Sequence, residues 1–291
     1  MKTEIKKIDS TKREISIEVS GDIVRNKFED VFTRISQEAK IKGFRPGHVP
    51  RDIIEKIFSA DAHNLVLKEL IPTVYGQAVE KEGLEVIDLP NIIDVKLDRD
   101  ALSFKAQVEI NPEIAVKNYK GLKVNYKKIA VSPDEIKRHI DSLREARKVN
   151  AVDDSFAKSL GYPGLSELEM AVERQIFIQK DNQERQRIEN DIIEQLTQDL
   201  DFKLPQSLIN RQLEDLVRQA KLELALRGVS GEDIEKQEKT LSSELEPQAK
   251  KQVKVYLVLA AIAKKENIPL DDHLPRHVIE FLLREADWNI T

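Results

Sequence analysis

The sequence predicts an α+β N-terminal domain, with helices on an antiparallel sheet, followed by an extended all-α C-terminal domain of long helical hairpins. Three observations predict it. Apolar residues alternate with a period of two near residues 13–19 and again near 102–110, the signature of half-buried strands. They recur at helical spacing through most of the rest. Aromatic residues make up only 5% of the 291 residues, against 40% hydrophobic and 34% charged. Aliphatic side chains on amphipathic helices must therefore do most of the burying, and the length suffices for two domains.

The segment Arg13-Glu14-Ile15-Ser16-Ile17-Glu18-Val19 reads as a strand, broken by Gly21 and Asp22. From Ile23 the apolar positions Phe28, Val31, Phe32 and Ile35 fall on one helical stripe to about Ala39. A Gly/Pro loop at 43–50 follows. A short helix then carries Ile53, Ile54 and Ile57, and a longer one spans about 60–82, with Pro72 as a kink or break and Gly83 as its stop. Strands at Ile92–Leu97 and Leu102–Ile110 complete a β-α-α-α-β-β order. Asn111-Pro112 closes this first domain, 1–112.

Residues 113–150 read as an extended linker and a connecting helix. Ser132-Pro133-Asp134-Glu135 holds a capping serine, a proline suited to the first turn and a glutamate three residues on. The third division, 151–291, is helical. A second capping box at Ser166–Glu169 opens a helix to about 200, whose polar middle, Gln179–Arg187, is expected to bridge solvent. A helix carrying Leu208 to Leu224 is capped by Gly228, and a charged stretch at 229–240 leads to the last long helix, about 241–266. A short helix near 276–286 ends the chain.

Composition excludes several classes. Absence of cysteine rules out disulfides, thiolate metal sites and cysteine nucleophiles. The first residues lack an apolar secretory segment, and the longest strictly apolar run, Val255–Ala263, is far below a membrane span. The expected location is cytoplasmic, without membrane contact. Neither nucleotide-binding glycine motif is present, and His48, His63 and His139 have no nucleophile beside them in sequence. His273 and His277 follow Asp271-Asp272, but Pro275 between them argues for a solvated turn rather than a metal site. No cofactor, metal or catalytic residue is expected. Residues 1–60 hold 13 basic and 10 acidic side chains, so a mildly basic front precedes an acidic body, the whole chain carrying −5.

The loop is the most specific feature. Gly43 and Gly47 permit unusual backbone angles, Pro46 and Pro50 fix others, and Phe44 and Arg45 sit between the glycines. Lys40, Lys42, Arg45 and Arg51 surround it with positive charge. From physics alone two readings stand: a rigid recognition tip offering ring and guanidinium, or an interhelical turn whose phenylalanine staples into the core. The pattern Gly-Phe-Arg-x-Gly-x-x-Pro resembles the signature of the trigger factor family. Tyr119-Lys120-Gly121-Leu122-Lys123-Val124 is similar to that family's linker, and Asp153 to Gly161 to the opening of its C-terminal domain.

The resemblance implies docking at the ribosomal tunnel exit, on a protein and nearby ribosomal RNA, through Lys42, Gly43, Phe44, Arg45, Pro46, Gly47, His48, Val49 and Pro50. His48 stands where the family usually has lysine. It also implies a helical cradle that shields nascent or unfolded polypeptides, and a homodimer away from the ribosome. Surplus apolar positions Leu216, Val217, Leu224, Val253, Tyr256 and Leu257 are the expected client-binding residues, although the same surplus suits packing of arm on arm. An FKBP-like prolyl-isomerase domain, usual in the family, has no counterpart between Arg147 and Asp153, so no enzyme activity is expected. After Pro269 only 22 residues remain, which implies a shortened second arm. The alternative reading is an RNA-binding or ribosome-assembly factor using the basic N-terminal loop.

Overall fold

The computed structural model describes residues 1–41, 44 and 48–290. Its chain divides into two compact units, each built from two stretches of sequence: 1–114 with 202–257, and 115–201 with 258–291.

The first unit is founded on a four-stranded antiparallel sheet of order β1-β2-β4-β3, with β1 Lys2–Lys7, β2 Lys12–Ser20, β3 Asn91–Leu97 and β4 Ala101–Glu109. In the register, Ile15 faces Ala106, Ile17 faces Phe104 and Val19 faces Leu102. These side chains are buried against helices α1, Asp22–Glu38, and α2, Arg51–Glu82, through Val24, Phe28, Val31, Ile54, Val66 and Val74. Alternation on two central strands thus meets two helical stripes, which is why one face of the sheet is dry. The observed order is β-β-α-α-β-β. β1 went unread in sequence because it is short and lysine-rich; such residues protect an exposed edge from further pairing.

The expected short and long helices both form and meet at a kink at Phe58, which has non-helical angles (φ −109°, ψ 19°); together they make up α2. Pro72 lies inside it without breaking it. Gly83, at φ 61°, ends α2 in the left-handed conformation, with the Leu84 amide donating to Val79 O at 3.2 Å. The same unit contains α6, Gln206–Leu226, and most of α7, Gly231–Glu266, an antiparallel hairpin in which Gln212 meets Gln252 and Lys221 meets Glu238. Gly228, at φ 85°, makes the corresponding stop after α6. Residues 231–240, read as unpatterned, are helical: their charges pair locally, as Lys236 does with Asp233, and Ile234 is buried.

In the second unit, α3 (Pro133–Arg147), α4 (Asp154–Ser159) and α5 (Leu165–Thr197) share a core of Ile140, Phe156, Ala157, Leu168 and Val172. The Ser132–Glu135 capping box forms as expected. Its counterpart at Ser166–Glu169 does not. α5 begins one residue earlier, after Gly164, and Asp154 of α4 accepts the Leu165 amide at 2.8 Å. A tertiary partner has replaced the local cap. The polar middle of α5 also departs from expectation, because it clasps residues 127–135: Lys180 Nζ donates to Ala130 O at 2.8 Å, and the Lys127 amide donates to Glu184 at 2.9 Å. A two-stranded parallel sheet joins β5, Lys123–Tyr126, to β6, Asp287–Ile290, which follows α8, Leu274–Arg284.

Candidate functional site

The loop between α1 and α2 is anchored at its C-terminal side. Val49 is only 7% exposed and sits in the core formed by sheet and helices. Pro50 then starts α2, its carbonyl accepting the amides of Ile53 and Ile54. The next residue, Arg51, binds Glu29 of α1 at 2.8 Å and Glu55 at 2.7 Å, and its guanidinium lies 4.4 Å from the centre of the Phe32 ring. Hydrogen bonding from Arg51 is the main reason that the Glu55 carboxyl is held below its ordinary pKa; Arg99 adds to the effect. Lower on the same helix pair, Arg34 and Lys27 converge on Glu69 at 2.6 and 2.9 Å. A buried aliphatic residue at the loop's end and charged clamps therefore fasten α1 to the first half of α2.

Phe44 is 39% exposed rather than seated in the core. Its amide donates to Ile41 O at 3.1 Å. His48 and Pro50 are exposed as well. Lys42, Gly43, Arg45, Pro46 and Gly47 lie outside the described residues. Of the expected docking residues that are described, Val49 has an inward, anchoring position and the others face solvent.

The expected client-binding residues divide by environment. Val253 and Leu257 are buried in a cluster with Ile209, flanked by Ile114, Phe202 and Leu204. Leu216 and Val217 are buried too, Leu224 is half-buried and Tyr256 is exposed. Near the tip of the hairpin the exposed apolar residues are Leu222 and Leu226, the latter 80% exposed. A cleft of about 1000 Å³ opens between α6 and α7 beside Leu213 and Val217, its rim carrying Arg218, Glu235 and Lys239. Sequence reading did not single out Met170, Phe177 and Ile178, three exposed apolar residues of α5. Their spacing of seven and eight residues was the available signal. For Arg51, the pairing with Glu55 at i, i+4 was legible, whereas Glu29, 22 residues away, left no trace in the sequence.

The base of the hairpin has its own electrostatic seat. Glu109, at the end of β4, accepts the Ser207 amide at 2.8 Å and the Ser207 hydroxyl at 2.6 Å, so a strand carboxylate caps α6. Burial of this group opposes ionisation, but the Ser207 hydrogen bonds outweigh it and the pKa is lowered. Lys203, just before α6, binds Asp9 at 2.6 Å and holds that carboxyl far below the usual range.

No group of three or more potential metal-ligating side chains occurs among the described residues. No helix there is long and apolar enough to cross a membrane.

Comparison with known families gives a consistent match along the chain. The family model described as "Bacterial trigger factor protein (TF)" matches residues 1–143, and that of "Bacterial trigger factor protein (TF) C-terminus" matches residues 164–285. The chain belongs to the trigger factor family. Trigger factor of Solibacter usitatus is 24% identical over 90% of this chain and 85% of its own length. That of Halothermothrix orenii is 21% identical over 98% and 91%. Trigger factor of Acinetobacter baumannii reaches 30% identity over 151 residues, covering 52% of this chain and 34% of the relative. A solved chain from work on promiscuous substrate recognition in folding and assembly by the trigger factor chaperone superposes with a TM-score of 0.59 at 13% identity, covering 98% and 100% of the two chains. At that identity the likeness establishes the shared fold.

The long alignments to trigger factors run over 358 and 389 residues, more than the 291 present here, so they pass over sequence that this chain does not contain. Only residues 144–163 separate the two matched trigger factor regions, far fewer than a folded domain needs. As a trigger factor, the chain is a ribosome-associated molecular chaperone.

Proposed function

We propose that the chain docks on the ribosome through the loop Gly43–Pro50 and shields exposed apolar segments with its helices, without prolyl-isomerase activity. In this division of labour, residues 1–112 form the docking head, 113–150 the connector and 151–291 the chaperone domain. The single observation that carries the docking reading is the exposed Phe44 on a loop whose far side is pinned by buried Val49 and clamped Arg51. The exposed Phe44 ring offers apolar area for an interface, and Arg45, next to it in sequence, supplies a guanidinium suited to carboxylate or phosphate. Tunnel-exit protein and nearby ribosomal RNA are its partners, in the cytoplasm.

Clients are held by the exposed side chains Leu222, Leu226 and Tyr256, with Leu224 at the margin. Leu216, Val217, Val253 and Leu257 are buried, Val253 and Leu257 in the cluster at the base of the hairpin, and support its packing. The interaction is weak and tolerant of sequence because it uses scattered aliphatic area. Away from the ribosome, pairing of two copies covers the same surfaces.

Cosedimentation with ribosomes tests the docking reading. Replacing Phe44 and Arg45 together by alanine should weaken binding by at least about 30-fold, as for loss of an interface hot spot, with an unchanged far-UV circular dichroism spectrum. Ribosome binding at the parental level would exclude the loop as the docking site.

A further inference from the structure

Strand β6 has one neighbour, β5, and its other side is an edge among the described residues. The Asp287 amide donates to Leu122 O at 2.9 Å, so Asp287 and, two residues on, Asn289 direct their backbone groups toward β5. Trp288 and Ile290 consequently direct theirs outward. β5 offers no comparable edge: Gln195 donates to Lys123 O at 3.0 Å, Arg187 to Asn125 O, and the Lys127 amide reaches Glu184. Side chains of α5 have sealed one side of this small sheet and left the other open.

The side chains beside the open edge are apolar. By the register, Trp288 and Ile290 share a face with Val124 and Tyr126. Val124 is buried, whereas Trp288 is 47% and Ile290 72% exposed. The indole N–H is already satisfied by Leu283 O at 3.0 Å, leaving the ring as apolar area. Next to it a groove of about 760 Å³ is lined by Tyr126, Ile188, Ile279, Leu283 and Trp288. The arginines on its rim are neutralised within their own helices, Arg185 by Asp181 and Arg276 by Glu280, while Glu189 adds negative charge.

We propose that the outer edge of β6 accepts an extended, apolar, non-acidic segment of an unfolded polypeptide as a third strand. This deepens the chaperone reading, on which it rests, by naming a binding mode and a place for it outside the α6–α7 hairpin. Outward amides and carbonyls fix the occupant as polypeptide backbone, and alternate residues of an added strand fall on the face of Trp288 and Ile290, beside the groove. Main-chain hydrogen bonds are blind to side-chain identity, which suits varied clients. A second copy is the poorer occupant: a four-residue strand is about 13 Å long, too short for its self-pairing to approach the roughly 1000 Å² of a stable interface.

Trp288 is the chain's one tryptophan, so its emission reports this edge. A heptapeptide of alternating valine and threonine, titrated into the full chain, should shift that emission to the blue saturably. The same peptide N-methylated at alternate residues should bind at least about 5-fold more weakly, the loss of roughly one hydrogen bond. Ile290→Pro, which removes an outward N–H and spares those of Asp287 and Asn289 facing β5, should weaken the unmethylated peptide similarly. Equal binding of the two peptides to the parent chain would overturn the proposal whether or not the variant keeps β6 in place. So would a concentration-dependent dimer, seen by light scattering, that Ile290→Pro dissociates. A chain that prevents aggregation of a denatured protein while Trp288 stays unresponsive would leave the chaperone reading standing and remove the edge. Failure of both measurements would remove both.

Discussion

At the scale of single residues, the informative positions are those whose neighbours are distant in sequence. Glu109 ends a strand, and nothing local marks it as the cap of a helix that starts 97 residues later at Gln206. Its partially buried carboxylate satisfies two donors of Ser207 at once. Glu109→Ala should destabilise the first unit by about 1–3 kcal/mol, read as a lowered urea midpoint at constant slope. Ser207→Ala should cost less, since the amide keeps its acceptor. Phe44 and Val49 make a related point. Both are apolar residues of one loop, yet one is solvent-facing and the other is core, and only the position of the helices around them separates the roles.

At the scale of elements, local chemistry was sufficient for some ends and not for others. Ser132 and Glu135 form their reciprocal cap because the residues before Ser132 run extended and Pro133 starts the helix. Ser166 and Glu169 have the same spacing but lie inside α5, whose first amide is taken by Asp154. Ser132→Ala should therefore cost about 1 kcal/mol of stability and Ser166→Ala under about 0.5, compared by chemical denaturation.

The clasp between α5 and residues 127–135 should also depend on pH. Hydrogen bonding from Lys180, followed by the Ser132 amide, lowers the Glu135 pKa to about 2, and Arg187 with the Lys127 amide does so for Glu184. Both folded values lie below the ordinary 4.5. Their contribution is then complete above that value and is lost as the pH falls toward 2. The denaturation midpoint should drop across this window, and Glu184→Gln should flatten the drop. A parallel decline in variant and parent would remove Glu184 from the clasp.

At the scale of the molecule, two trigger factor regions adjoin with residues 144–163 between them. In a prolyl-isomerisation assay on a short peptide the full chain should leave the uncatalysed rate unchanged. A proportional, saturable acceleration would overturn the expectation that the chain lacks isomerase activity.

The sequence by itself determined the fold class, the central strands, most helices and the family, because each rests on short-range pattern: alternation, helical stripes, glycine stops and one loop motif. Tertiary structure decided the rest. It added β1, short and lysine-rich, and β6, only four residues long, whose partners supply the pairing. It made one helix of 231–266 and turned the polar middle of α5 into a clasp rather than a bridge through solvent. It also buried four of the six expected client-binding residues. Apolar helical positions look alike in sequence whether they face a partner helix or water, and only packing distinguishes them.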